Sequence, residues 1–211
     1  MEIRRLGTVG YQEALDLQTG LVEQRRRGDV GDLLLLLEHP PVITLGVKTR
    51  NTRTNIVASD AQLAAAGVAV FQSGRGGDVT YHGPGQLVGY PIFDLNPHRR
   101  DVHQYVRDIE EALILAAASC GVTAARVPGL TGIWVGRDKL AAIGVRISRW
   151  ITSHGFAFNV STNLSHFDLI VPCGIQGRGV TSLEELRGGP VPMAEVEAAV
   201  EAGFLSVFKD L

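Results

Sequence analysis

Five consecutive leucines, Leu33 to Leu37, stand between Gly31 and the Pro40–Pro41 pair. A strand turns successive side chains to opposite faces, so an unbroken apolar run of this kind needs cover on both. It is far too short for the ~18 residues of a membrane helix. The run therefore predicts a buried strand in a layered sheet, closed off by glycine and proline. Further strand candidates are Glu2 to Leu6, "VITLG", "VAVFQ", "QLVGYPIFDL", Thr131 to Val135, Lys139 to Ser148 and His154 to Val160.

Helical spacing covers three longer stretches. From Tyr11 to Arg27 the stripe is Ala14, Leu17, Leu21 and Val22. From Asp101, a cap, to Ser119 it is Val102, Tyr105, Ile109, Leu113 and Ala116, and a last helix runs from Met193 to Phe208. Ser59 or Asp60 caps a short helix through Ala66, which Gly67 ends. Clustered strands with a few flanking helices predict an α+β fold with a mixed, largely antiparallel sheet and helices on its faces. No linker, repeat or low-complexity tract divides the chain, so residues 1–211 read as a single domain. A core of that size buries roughly 70 % of the unfolded surface without a metal or disulfide staple.

Charge narrows the function classes. Twenty basic and 22 acidic residues leave a formal charge of -2. The basic triplet Arg25-Arg26-Arg27 ends a polar helix and reads as a solvated face, so nucleic acid is not an expected partner. The charged "MEIRRLG" is followed by an amphipathic stretch rather than an apolar signal core, which predicts a soluble, cytoplasmic protein. Two cysteines are too few for a disulfide framework. The six histidines form no metal-binding pattern, so no metal site is expected.

Chemistry concentrates in three places. "GRGGDVTYHGPGQ", Gly74 to Gln86, is neither a Walker loop nor a dinucleotide fingerprint. It reads as a glycine loop between two strands, and Arg75, Tyr81 and His82 within it need partners, of which a ligand is one. Lys139 enters an apolar strand, and simple alternation places it beside Ala141, Ile143 and Val145. Cys173, in "VPCGI", occupies a turn able to expose a thiol, whereas Cys120 ends a helix before Gly121 and reads as a small core residue. A neighbouring cation raises the thiolate fraction of a cysteine, which makes Lys139 a candidate partner, with His82, His154 and His166 as alternatives.

Three blocks, "RGGDVTYHGPGQLVGYPI", "KLAAIGVRISRWITSHGFAFNV" and "NLSHFDLIVPCGIQGRGVTSL", resemble the lipoyl(octanoyl) transferases of lipoate biosynthesis. The resemblance implies a fold similar to biotin and lipoate ligases. It also implies transfer of octanoyl from its acyl carrier protein thioester to a lysine of lipoyl domains. These acceptors are the 2-oxoacid dehydrogenase E2 subunits and the glycine cleavage H protein. No ATP or other cofactor is implied. Carried over to this chain, Cys173 becomes the acyl-thioester and Lys139 its partner. The substrate cradle becomes Arg75, Gly76, Gly77, Asp78, Val79, Thr80, Tyr81 and His82, with Ala142, Ile143, Gly144, Gly155, Phe156 and Ala157. Backbone amides near Gly76–Gly77 or Gly174 are candidates for the oxyanion. The alternatives are an ATP-dependent lipoate or biotin ligase, a cysteine hydrolase, and a non-catalytic module that binds acylated carriers.

Overall fold

A computed structural model describes residues 1–49, 52–96, 100–171 and 178–209. The described residues form ten strands and five α-helices. The strands are β1 (Glu2–Thr8), β2 (Leu33–Glu38), β3 (Val42–Leu45), β4 (Ala69–Gln72), β5 (Val79–His82), β6 (Gln86–Ile92), β7 (Ala125–Val127), β8 (Leu130–Val135), β9 (Asp138–Ser148) and β10 (Ile151–Asn159). The helices are α1 (Tyr11–Arg27), α2 (Asp60–Ala65), α3 (Val102–Ser119), α4 (Leu183–Arg187) and α5 (Met193–Val207).

Seven strands form one sheet in the order β1-β2-β6-β10-β9-β8-β7, antiparallel except for the β1–β2 pair. The leucine run sits near one edge of this sheet with both faces covered. Leu34 and Leu36 join a core with α3 and α5, while Leu33, Leu35 and Leu37 join a second core under α1. Two-sided burial is what a solid apolar strand requires. Helices α3 and α5 approach closely at Gly203, where a Cβ would stand 2.4 Å from the Ala112 carbonyl oxygen.

The end signals of the helices act as expected. The Asp101 side chain accepts from the Gln104 N–H at 3.0 Å, and Ser59 and Gln62 cap α2 reciprocally. Cys120 is buried in the first core. Arg25 departs from expectation, because it is only 17 % exposed and ties α1 to the sheet through Asp32 at 2.7 Å. The triplet is therefore not one solvated face.

A second, three-stranded sheet has the order β4-β3-β5. Its strand β5 lies inside the glycine stretch expected to be one loop, so Gly74–Gln86 is two turns flanking a strand. Val79 and Tyr81 face this sheet's own core with Ile43, Leu45 and Phe167, and Thr80 and His82 alternate away from it.

Candidate active site

The stretch Ser73 to Asp78 lies across the face of β9 and is pinned along its length. The Gly76 N–H donates to the Val145 carbonyl at 2.9 Å, and the Gly77 carbonyl accepts from the Lys48 N–H at 3.1 Å. Gly77 has φ +91, a conformation that other residues rarely adopt. Arg75 is 8 % exposed and donates to the Thr44 carbonyl at 2.7 Å, to its hydroxyl at 3.0 Å, and to the Gly76 carbonyl. The Asp78 carboxylate accepts from Asn55 at 2.7 Å and from the Val79 N–H at 2.6 Å.

Between this stretch and the large sheet lies a cavity of about 530 Å³, a size suited to a small ligand. Arg75 through Thr80, His82, Lys139, Ala142, Ile143, Gly144, Gly155, Phe156 and Ala157 all line it. Tyr81 does not. It lies in the core of the small sheet, with its hydroxyl 2.7 Å from His166 Nδ1. Cys173 and Gly174 fall outside the described residues. On either side of them, the Val171 N–H donates to the Asn55 carbonyl, and the Gly179 carbonyl accepts from the Lys139 N–H at 3.0 Å.

Lys139 does not follow simple alternation. Strands β8 and β9 pair Ile133 with Ala141 but Trp134 with Lys139, so Leu140 is an extra residue in the ladder. Leu140 and Ala141 both enter the first core. This bulge reverses the parity of the strand end and puts Lys139 on the cavity side with Ala142 rather than with Ala141. Its Nζ stands 4.8 Å from the centroid of the Trp134 ring.

The small residues of the cavity floor answer first to packing. A Cβ on Gly155 would lie 2.1 Å from the Gly89 carbonyl oxygen, and one on Gly144 would lie 2.8 Å from that of Gly76. The want of bulk at these two glycines is enforced by neighbouring backbone.

Among the histidines, His82 and His154 line the cavity. His82 is held neutral well below the usual imidazole range by burial, with His39 and Arg75 adding to it. It bonds Gln86 Oε1 through Nδ1 at 2.8 Å. His154 is pushed down to about 4 by burial, then by Arg75 and Arg146. Neither is tuned to accept a proton near neutrality. His166 sits with Tyr81 instead of at the cavity.

Two tyrosines that sequence reasoning missed also line the cavity, one brought in by a distant helix and one indistinguishable in sequence from an ordinary residue of an apolar strand. Tyr11 opens α1, and Tyr90 lies on β6 with its hydroxyl 2.7 Å from His39 Nε2. Among the described residues, no group of acidic, histidine or cysteine side chains could hold a metal ion. None of their helices is long and apolar enough to cross a membrane.

The family model of the lipoyl protein ligase A/B catalytic domain matches residues 10–205. An octanoyltransferase of Myxococcus xanthus is 56 % identical over 98 % of this chain, which spans 59 % of that protein. Octanoyltransferases of Desulforamulus reducens and Chloroflexus aggregans are 50 % and 53 % identical over 98 % and 99 % of the chain. The chain spans 90 % and 95 % of these two.

Solved structures share the fold at low identity. A lipoate-protein ligase A bound with ATP gives a TM-score of 0.78 at 17 % identity, covering 99 % of this chain and 86 % of that one. A putative lipoate protein ligase from T. acidophilum with bound lipoic acid gives 0.75 at 16 % identity with the same coverage. A biotin protein ligase from Aquifex aeolicus gives 0.58 at 14 % identity, covering 99 % and 70 %. The α+β fold expected from the sequence is thus that of the lipoate and biotin ligases. With its family match over residues 10–205 and at least half of its residues shared with curated relatives, the chain belongs to the lipoyl protein ligase A/B family, among the octanoyltransferases.

Proposed function

We propose that residues 1–211 act as one acyltransferase domain that takes octanoyl from its acyl carrier protein thioester in the cytoplasm. The acceptor is a lysine of a lipoyl domain, on a 2-oxoacid dehydrogenase E2 subunit or the glycine cleavage H protein. The observation that carries this reading is the convergence of Lys139, the Arg75–Thr80 stretch and the Ala142–Gly144 and Gly155–Ala157 floor on one cavity.

In the first half-reaction the Cys173 thiolate attacks the thioester carbonyl. The bond to the carrier sulfur breaks, and the carrier leaves as a thiol with a proton from Lys139, which is left neutral. Lys139 favours the thiolate by its charge; at about 4 Å and an effective dielectric near 20 such a pair attracts by ~4 kcal/mol before desolvation costs. In the second half-reaction the neutral acceptor amine attacks the Cys173 thioester. As the new C–N bond displaces the Cys173 sulfur as thiolate, the neutral Lys139 takes the amine proton, which restores the ion pair. The described residues that flank Cys173 in sequence support this assignment, since Val171 is tied to Asn55 and, through it, to Asp78, while Gly179 is tied to Lys139.

Intact-protein mass spectrometry tests the proposal with octanoyl-acyl carrier protein and no ATP. Wild type should gain one octanoyl group that a lipoyl domain discharges, and Cys173→Ala should gain none. Transfer that proceeds only with ATP, and without an adduct on wild type, would replace the cysteine mechanism with an acyl-adenylate one.

A further inference from the structure

Strands β8 and β9 set Trp134 directly opposite Lys139. Opposed side chains in a ladder share a face, and here the Lys139 ammonium stands 4.8 Å from the centroid of the indole. The Arg178 guanidinium carbon stands 5.2 Å from the same centroid. Trp134 is 2 % exposed. Together the ring and both cations line a recess of about 40 Å³. It shares Thr80, Lys139, Ala142 and Ala157 with the main cavity.

A lysine at a strand end normally extends its flexible stem to water. An aromatic face opposes that tendency, because its negative quadrupole attracts the ammonium and its bulk restricts the stem. The indole itself is neither acid, base nor nucleophile in acyl transfer. The Leu140 bulge is essential here, because without the extra residue Lys139 would turn to the opposite face.

We propose that Trp134 is a positioning residue whose ring holds the Lys139 ammonium at the acyl-transfer cavity, with Arg178 as a second cation on that ring. The inference rests on the proposed role of Lys139. Its test uses the full chain with octanoyl-acyl carrier protein and a lipoyl domain, together with the pH dependence of Cys173 alkylation by iodoacetamide. Trp134→Leu should lower kcat about tenfold while the donor KM stays within about twofold, and should move the alkylation midpoint to higher pH. Trp134→Phe keeps an aromatic face and should recover most of both.

A third variant avoids any loss of packing: fluorotryptophans incorporated into a Trp150→Phe chain weaken the ring's quadrupole with little change of shape. Both kcat and the alkylation midpoint should then follow the degree of fluorination. Wild-type kcat and midpoint in Trp134→Leu, or no response to fluorination, would overturn the inference. Lys139→Ala separates the two levels. Full activity there removes the underlying role of Lys139, whereas an inactive Lys139→Ala beside an insensitive Trp134 removes only the role of the ring.

Discussion

His154 is held in two unfavourable states at once. Its φ of 53 is uncommon for any residue with a side chain, and it is buried beside Arg75 and Arg146. Its neighbours explain both. Its N–H donates to Gln18 Oε1 at 2.8 Å, which holds the backbone there, and burial, reinforced by the two guanidinium groups, disfavours a positive charge on the ring. The ring therefore stays neutral in the folded chain down to about pH 4, whereas an unfolded histidine takes up a proton near 6.5. Over that window the unfolded chain binds more protons, so stability falls as pH falls. From pH 7 to pH 5 this one group should cost about 2 kcal/mol. His82 acts in the same direction. Replacing His154 with asparagine, which tolerates positive φ, should flatten this dependence without abolishing it. Urea midpoints at pH 7 and pH 5 measure the effect, and equal slopes in the two proteins would contradict it.

At the scale of elements, α3 is fastened to the sheet by Glu110, which has no exposure. Its carboxylate accepts from the Gly132 N–H of β8 at 3.0 Å and from Arg107 and Arg126 at 2.6 and 3.1 Å. Glu110→Ala leaves the Gly132 donor buried without its acceptor and should cost roughly 1–3 kcal/mol. Chemical denaturation would show this as a lower midpoint at an unchanged m-value. The helix was legible in the sequence through its stripe and its Asp101 cap, yet this fastening was not, because a glutamate in a helical pattern reads as surface. The leucine run was legible for the opposite reason, since its burial needs no knowledge of a partner. Strand β5 went unseen because its four residues, set in a glycine-rich stretch, give only two periods of alternation. The orientation of Lys139 was misread because a bulge depends on the pairing of two strands. Arg75, His82 and Lys139 stood out by local chemistry and the rest of the cradle came through family resemblance; Tyr11, supplied by the distant α1, and Tyr90, an ordinary residue of an apolar strand, were in neither reading.

For the molecule as a whole, the cavity is a product of how its two sheets meet. The large sheet has helices on both faces, and the small one meets it at polar links such as those from Gln86 on β6 to Tyr81 and His82 on β5. Arg75 braces this junction from the small sheet's side: its guanidinium ties the stretch that crosses β9 to the Thr44 carbonyl and hydroxyl on β3. The adjoining Gly76 N–H reaches Val145 on β9. Burial of this cation is tolerable only because its donors are satisfied, so Arg75→Met should weaken the junction while leaving the helix-covered cores intact. Local opening then becomes easier in one region than in the other. Hydrogen exchange should accelerate about tenfold or more in β3, β4 and β5, and change little in β2, β6 and β10, as the loss of 1–3 kcal/mol of local hydrogen bonding implies. Octanoyl transfer should fall with it, since the small sheet carries one wall of the cavity. Uniform acceleration across both sheets would mean that they open as one unit. No acceleration would mean that the junction is held by its other contacts, and that Arg75 serves the ligand rather than the fold.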